Sequence, residues 1–125
     1  MVLFMVIIVH HHGFSQKSGI EQSPNDLNSV FRTLQNQLEI SKKNPGQPKK
    51  IVQSHLKLGE YYHSLGLYSE AMEQYNKALD QLGTDFNDTL FITLNNNIGK
   101  VYYDMGDFTN SIEYFNQSIE LKEKL

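Results

Sequence analysis

Apolar positions in this chain step by three and four, the spacing that lines one face of an α-helix. Leu27, Val30, Phe31, Leu34 and Leu38 form the first such stripe. Ser23-Pro24-Asn25-Asp26 stands before it as a helix start, with serine as N-cap, proline at the first helical position and an acid in the first turn. The stripe predicts a helix from Pro24 to about Lys43, where Lys42 and Lys43 favour the negative end of the helix dipole. Asn44-Pro45-Gly46-Gln47-Pro48 ends it. A second helix is predicted from Pro48 to about Leu65. A third begins near Tyr68, after Gly66 interrupts the apolar period, and stops before Gly83. Thr84 to Asp88 reads as a polar turn. Two further helices follow, from about Asp88 to Met105 and from Phe108 to the chain end, with Asp107 placed to cap the last.

The pattern repeats. Gly59, Tyr62, Gly66, Tyr68, Ala71, Tyr75, Ala78 and Leu79 recur as Gly99, Tyr102, Gly106, Phe108, Ser111, Phe115, Ser118 and Ile119, each displaced by forty residues. A constant offset over matched positions is the signature of a repeat architecture. The small residues at these positions let helices approach closely, and the bulky ones fill the space between them.

The amino terminus is of another kind. Met1 to Val9 is continuously apolar and His10-His11-His12-Gly13-Phe14-Ser15-Gln16 follows. As a helix this run reaches about 14 Å, roughly half of the ~30 Å hydrocarbon core of a bilayer. Gly13 and Ser15 supply the small residues that a signal-peptide cut between Ser15 and Gln16 needs, although no basic residue precedes the apolar run. Two readings stand: an export signal over residues 1–15, or a buried or interfacial segment of an unprocessed protein. Three consecutive histidines point in different directions on any regular backbone, so they do not converge on one metal ion. Polar sequence after a signal's apolar core accounts for them.

Composition narrows the function classes. The 125 residues carry a formal charge of −3, with 11 basic and 14 acidic side chains, and no basic block stands out. Nucleic-acid binding, which leaves a basic stripe, is therefore not expected. The absence of cysteine excludes disulfides and thiolate zinc sites. No nucleotide loop, nucleophile triad or metal-ligand spacing occurs, so neither an enzyme nor a cofactor is expected. His55 and His63 lie about 12 Å apart along a helix and cannot share a metal. Asp104 and Asp107 flank Gly106, where helix capping explains both. Asn87-Asp88-Thr89 and Asn116-Gln117-Ser118 match the glycosylation sequon, the second of them in mid-helix.

From Pro48 to Leu125 the chain resembles tetratricopeptide repeats. Leu58, Gly59, Tyr62, Gly66, Tyr68, Ala71, Tyr75 and Ala78 are of the consensus types, and Ile98, Gly99, Tyr102, Gly106, Phe108 and Phe115 match in the second copy. Ser111 and Ser118 replace alanine. His55 and Asn95 replace a large apolar residue at the fourth position of each repeat, and the proline after the second helix is missing. The resemblance implies an all-α fold of antiparallel helix-turn-helix repeats, stacked as a short α-solenoid of about five helices. The order expected is a signal peptide over 1–15, a linker over 16–23, a covering helix and loop over 24–47, repeat 1 over 48–87 and repeat 2 over 88–125. The recurring apolar positions of the last helix suggest that the natural protein continues, or that a second copy pairs through this helix.

The resemblance also implies a groove along the first helix of each repeat. Its candidate residues are Gln53, Leu56, Glu60 and His63, then Thr93, Asn96, Lys100 and Tyr103, with Ser64 and Asp104 beside them. Leu56 and Glu60 stand where chaperone-binding repeats carry lysine and asparagine, so that carboxylate clamp is not met. Asn95-Asn96-Asn97 reads either as a clamp on a peptide backbone or as solvated helix surface. Tyr61-Tyr62 and Tyr102-Tyr103 should each send one ring inward and one toward the groove. Forty-residue repeats are similar to those of bacterial sensor kinases and regulators. The expected role is protein or peptide binding, as the exported sensory or interaction region of a signalling protein. The alternative is a structural scaffold or self-assembly protein. A membrane would be reached only through the signal segment or a downstream region. Localisation would be periplasmic or exported if the signal is cut, and otherwise cytoplasmic.

Overall fold

The computed structural model describes residues 24–83 and 89–125. The apolar run, the histidines, the proposed cleavage site, the linker, the Ser23 cap and the Thr84–Asp88 turn lie outside them. Among the described residues there are five helices: α1 (Pro24–Lys42), α2 (Pro48–Ser64), α3 (Tyr68–Leu82), α4 (Thr89–Asp104) and α5 (Phe108–Lys124). Two compact units divide the chain, residues 1–30 and residues 31–125. Of the first, the described part is the opening of α1, where Asp26 sits in the first turn and its carbonyl accepts a 2.8 Å hydrogen bond from the Ser29 hydroxyl.

In the second unit α2 pairs with α3 and α4 with α5, while α4 also packs on α3 and α2. The forty-residue offset carries through the helix ends. Helices α2 and α4 end at Ser64 and Asp104, α3 and α5 begin at Tyr68 and Phe108, and α1 and α3 end at Lys42 and Leu82. Thus α1 stands in the register of a repeat's second helix. It lies against α2 through Phe31, whose ring is 5.9 Å from those of Tyr61 and Tyr62, and through a 3.1 Å contact between the Ser41 and Ser54 hydroxyls.

Both intra-repeat turns are built alike. Gly66 and Gly106 adopt φ of 73° and 80°, left-handed values that only glycine takes without strain. Gly66 N–H donates to the His63 carbonyl at 2.9 Å and Leu67 N–H to that of Tyr62 at 3.0 Å; Gly106 and Asp107 do the same to Tyr103 and Tyr102. This paired pattern satisfies the orphan carbonyls at the end of each first helix and reverses the chain. Asp107 then caps α5, accepting from the Asn110 backbone N–H at 3.2 Å.

Val52, Leu56, Ala71, Tyr75, Ala78, Leu94, Ile98 and Val101 form the core. The valine, leucine and isoleucine side chains among them each contribute about 1.5–3 kcal/mol on full burial. A Cβ on Gly59 would sit 2.3 Å from the Tyr75 ring, and one on Gly99 would sit 2.9 Å from that of Phe115. Close helix approach is therefore set by these two pairs. Ser111 and Ser118 are buried where the first repeat has alanine, and the Ser118 hydroxyl donates to the Ile92 carbonyl of the facing helix at 3.2 Å. The fold is the all-α helix-hairpin stack that the sequence pattern implies.

Candidate functional site

The upper ends of α2 and α4 bring four of the groove side chains and one aromatic together. His63 Nε2 lies 2.7 Å from Asp104 Oδ2, a contact that becomes an ion pair when the imidazole is protonated. Around it His63, Lys100, Tyr103, Asp104 and Phe115 line a mostly apolar cavity of about 420 Å³. That volume lies within the range of about 300–1,000 Å³ in which small ligands or anchoring side chains are held. Tyr103 is 60% exposed and packs edge-on against Phe108, with ring centroids 5.4 Å apart. Lys100 is exposed at the rim. Chemically this is an aromatic pocket with one cation, one carboxylate and one imidazole at its mouth.

The other candidates fall elsewhere. Leu56 belongs to the buried core and offers nothing to a ligand. Gln53 is exposed but lines a separate small hollow with Gln37 and Ile40 of α1. Glu60 accepts a 3.1 Å hydrogen bond from Asn97 Nδ2, tying α2 to α4. Thr93 turns its hydroxyl back to the Thr89 carbonyl at 2.9 Å, and Asn96 is half-buried.

Two of the three asparagines in the run depart from both sequence readings. Asn95 and Asn97 are buried, so they are neither solvated surface nor a free clamp. Asn95 sits at the fourth repeat position, where the register turns it into the helix packing, and its Nδ2 has no hydrogen-bond partner among the described residues. Asp104 also departs from the capping reading. It is the last residue of α4, at the wrong end of that helix to cap an N-terminus, and it faces His63 instead. Tyr61 is stacked by Phe31 rather than open to the groove. Phe115, read from the sequence as a gap filler, is half-buried and supplies a wall of the cavity. Its equivalence to the buried Tyr75 hid that role.

Titratable groups in the stack are shifted by burial. The Tyr75 phenol is pushed far above its ordinary range, first by desolvation and then by the Glu60 carboxylate. Tyr114 moves the same way, by burial and then by Tyr102 and Glu113. His55 is held below its ordinary value by burial, partly offset by Gln74 and reinforced by the Lys42 and Lys77 charges. Among the described residues no cluster of His, Cys, Asp and Glu could hold a metal, and no helix is long and apolar enough to cross a membrane. Ser118 is buried, which leaves the sequon at Asn116 a poor acceptor.

Paired helices in a fixed register, glycine-centred turns and a side-chain pocket between successive first helices define a helical-repeat interaction protein. The family model described as tetratricopeptide repeat matches residues 52–81 and 92–125, and the chain belongs to that family. Repeats of this family support protein–protein interaction, typically bind proteins or peptides, and are generally non-catalytic. No curated protein matched the chain.

Proposed function

We propose that this chain binds a peptide or protein segment across α2 and α4, with one apolar or aromatic side chain of the partner seated between Tyr103 and Phe115. The cavity of about 420 Å³ at that point carries the reading. Lys100 and Asp104 at its mouth would orient the partner's main chain. The short apolar run before Ser15-Gln16 and the forty-residue repeats support an exported sensory or interaction region of a bacterial signalling protein.

Selection of a displayed peptide library against the whole chain tests the site. Selected peptides are expected to carry an aromatic or large aliphatic anchor. Tyr103→Ala should weaken them at least tenfold, as expected for a central aromatic contact. Unchanged affinity in that variant would remove the cavity from the account. Amino-terminal sequencing of the protein secreted by a Gram-negative host tests the export reading; a chain that still begins at Met1 and stays in the cytoplasm opposes it.

One observation favours the scaffold alternative. Ile112 and Ile119 are 59% and 56% exposed on α5. Their counterparts forty residues earlier, Met72 and Leu79, pack on the core. In that reading the face receives a second copy of this chain. Light scattering over a hundredfold range of concentration would show dimer formation, abolished by Ile112→Asp; a monomer throughout rejects it.

A further inference from the structure

A second cleft lies on another face of α2, between α1 and α3, with a volume of about 640 Å³. Its place in the repeat register explains its origin. Forty residues later the register carries Tyr75, Leu79, Leu82 and Tyr114, all buried or packed on the core, with the Tyr75 ring set against Gly59. The residues forty positions earlier are Gln35, Glu39, Lys42 and Gln74. Each of these bulky core side chains thus has a hydrogen-bonding or charged counterpart, and all four counterparts line the cleft.

The lining states what it would hold. Carboxamides face in from both walls, Gln35 and Asn36 from α1 and Gln74 and Gln81 from α3. Each carries a donor and an acceptor, the complement of peptide N–H and C=O groups. The floor has an apolar strip of Leu38 and Leu58, with Tyr62 beyond. His55, 6% exposed, also lines the cleft, at the repeat position where the family carries a large apolar residue. His55 Nδ1 is 2.9 Å from Gln74 Oε1, so Nδ1–H donates and leaves Nε2 as an acceptor. Two lysines and two acids line the cleft, Lys42, Lys77, Glu39 and Asp80, so their charges balance. Lys42 is moreover paired with Glu39 at 3.0 Å, and Lys77 with Glu73 at 2.5 Å. A charged ligand gains nothing from such a lining, and a neutral one with alternating donors and acceptors does.

We infer that this cleft is a second binding site, taking an uncharged extended peptide whose main chain is read by the carboxamides of α1 and α3 and whose alternate side chains rest on Leu38 and Leu58. It is independent of the site between α2 and α4.

The test is a titration of the isotope-labelled whole chain with an acetylated, amidated hexapeptide of alternating serine and leucine, followed by nuclear magnetic resonance. The His55 ring signals and the side-chain amides of Asn36, Gln74 and Gln81 are expected to move with a common affinity. Gln81→Leu, at an exposed position, should weaken binding severalfold with the melting temperature unchanged. Gln35→Tyr with Gln74→Tyr puts two aromatic rings into the lining in place of two carboxamides, and should abolish the shifts at His55 and Gln81. Tyr103→Ala should leave the titration as it is. No movement at millimolar peptide, or shifts surviving in the double variant, would overturn the proposal. So would shifts produced by maltotriose and not by the hexapeptide, which would make the cleft a sugar site.

Discussion

Alanine at Gly59 would bring a methyl carbon to 2.3, 2.6 and 2.9 Å from the Cε1, Cδ1 and Cζ atoms of Tyr75. Tyr75 is fully buried and has no direction in which to withdraw. Overpacking costs about 1–3 kcal/mol, and an ideal methyl this close to a fully buried ring puts the cost at the upper end, about 2–3 kcal/mol. Alanine's better helix propensity offsets roughly 1 kcal/mol, so the net loss is about 1–2 kcal/mol in Gly59→Ala. Gly99 provides the internal control. Its added methyl would meet Phe115 at 2.9, 3.0 and 3.3 Å, and that ring is only half-buried. The ring can swing outward, and the propensity gain should bring Gly99→Ala to within about 0.5 kcal/mol of the parent. Urea unfolding followed by circular dichroism measures both. At roughly 4–8 °C per kcal/mol for a domain of this size, Gly59→Ala should melt about 5–15 °C lower. Equal stability of the two variants would refute the reasoning, because the same sequence change would then be indifferent to whether its neighbour can move. Adding Tyr75→Leu to Gly59→Ala should cost less than the two changes do separately, a non-additivity expected only if they share this contact.

Other expectations follow from single groups. The Tyr75 hydroxyl is buried without a hydrogen-bond partner among the described residues, so Tyr75→Phe should be neutral or stabilising by about 1 kcal/mol in the same assay. Asp107→Ala removes the cap on α5 and should cost about 1 kcal/mol. His55 is held below its ordinary value in the fold, chiefly by burial, so the unfolded chain takes up the proton first as pH falls. Its contribution is therefore intact above about pH 6.5 and declines as pH drops from there toward the lowered folded value. The slope of unfolding free energy between pH 7 and 5 should be shallower in His55→Phe; an unchanged slope counts against the assignment.

The repeat was legible because its signals are few and strict. Gly66 and Gly106 mark left-handed turns, and Gly59 and Gly99 mark close approaches, so spacing alone placed the four helices of the hairpins to within a residue or two. Side-chain orientation was harder to read. Asn95 and Asn97 are polar residues in buried places, and composition argues the opposite. Leu56 was assigned to the groove by repeat position, yet its apolar bulk takes it into the core. Asp104 could be paired with His63 only once the two first helices were set side by side. The register of α1 as a degenerate second helix is legible in the sequence, but the cleft is not, because it depends on which side chains of α1, α2 and α3 line one space.

The constant offset has a kinetic consequence for residues 31–125. Hydrogen bonds between helices, Ser41 to Ser54, His55 to Gln74, Ser118 to Ile92, Asn97 to Glu60 and His63 to Asp104, join residues 13, 19, 26, 37 and 41 positions apart. Each closes a loop no longer than about one repeat, so little chain entropy is lost before a contact is gained. Helical folds of such low contact order assemble in microseconds to milliseconds, and repeat stacks can nucleate in any unit and propagate to its neighbours. The pair best suited to nucleate is α2 with α3, where Tyr75 locks against Gly59. Assembly would then run outward from α2 and α3 to the helices packed on them.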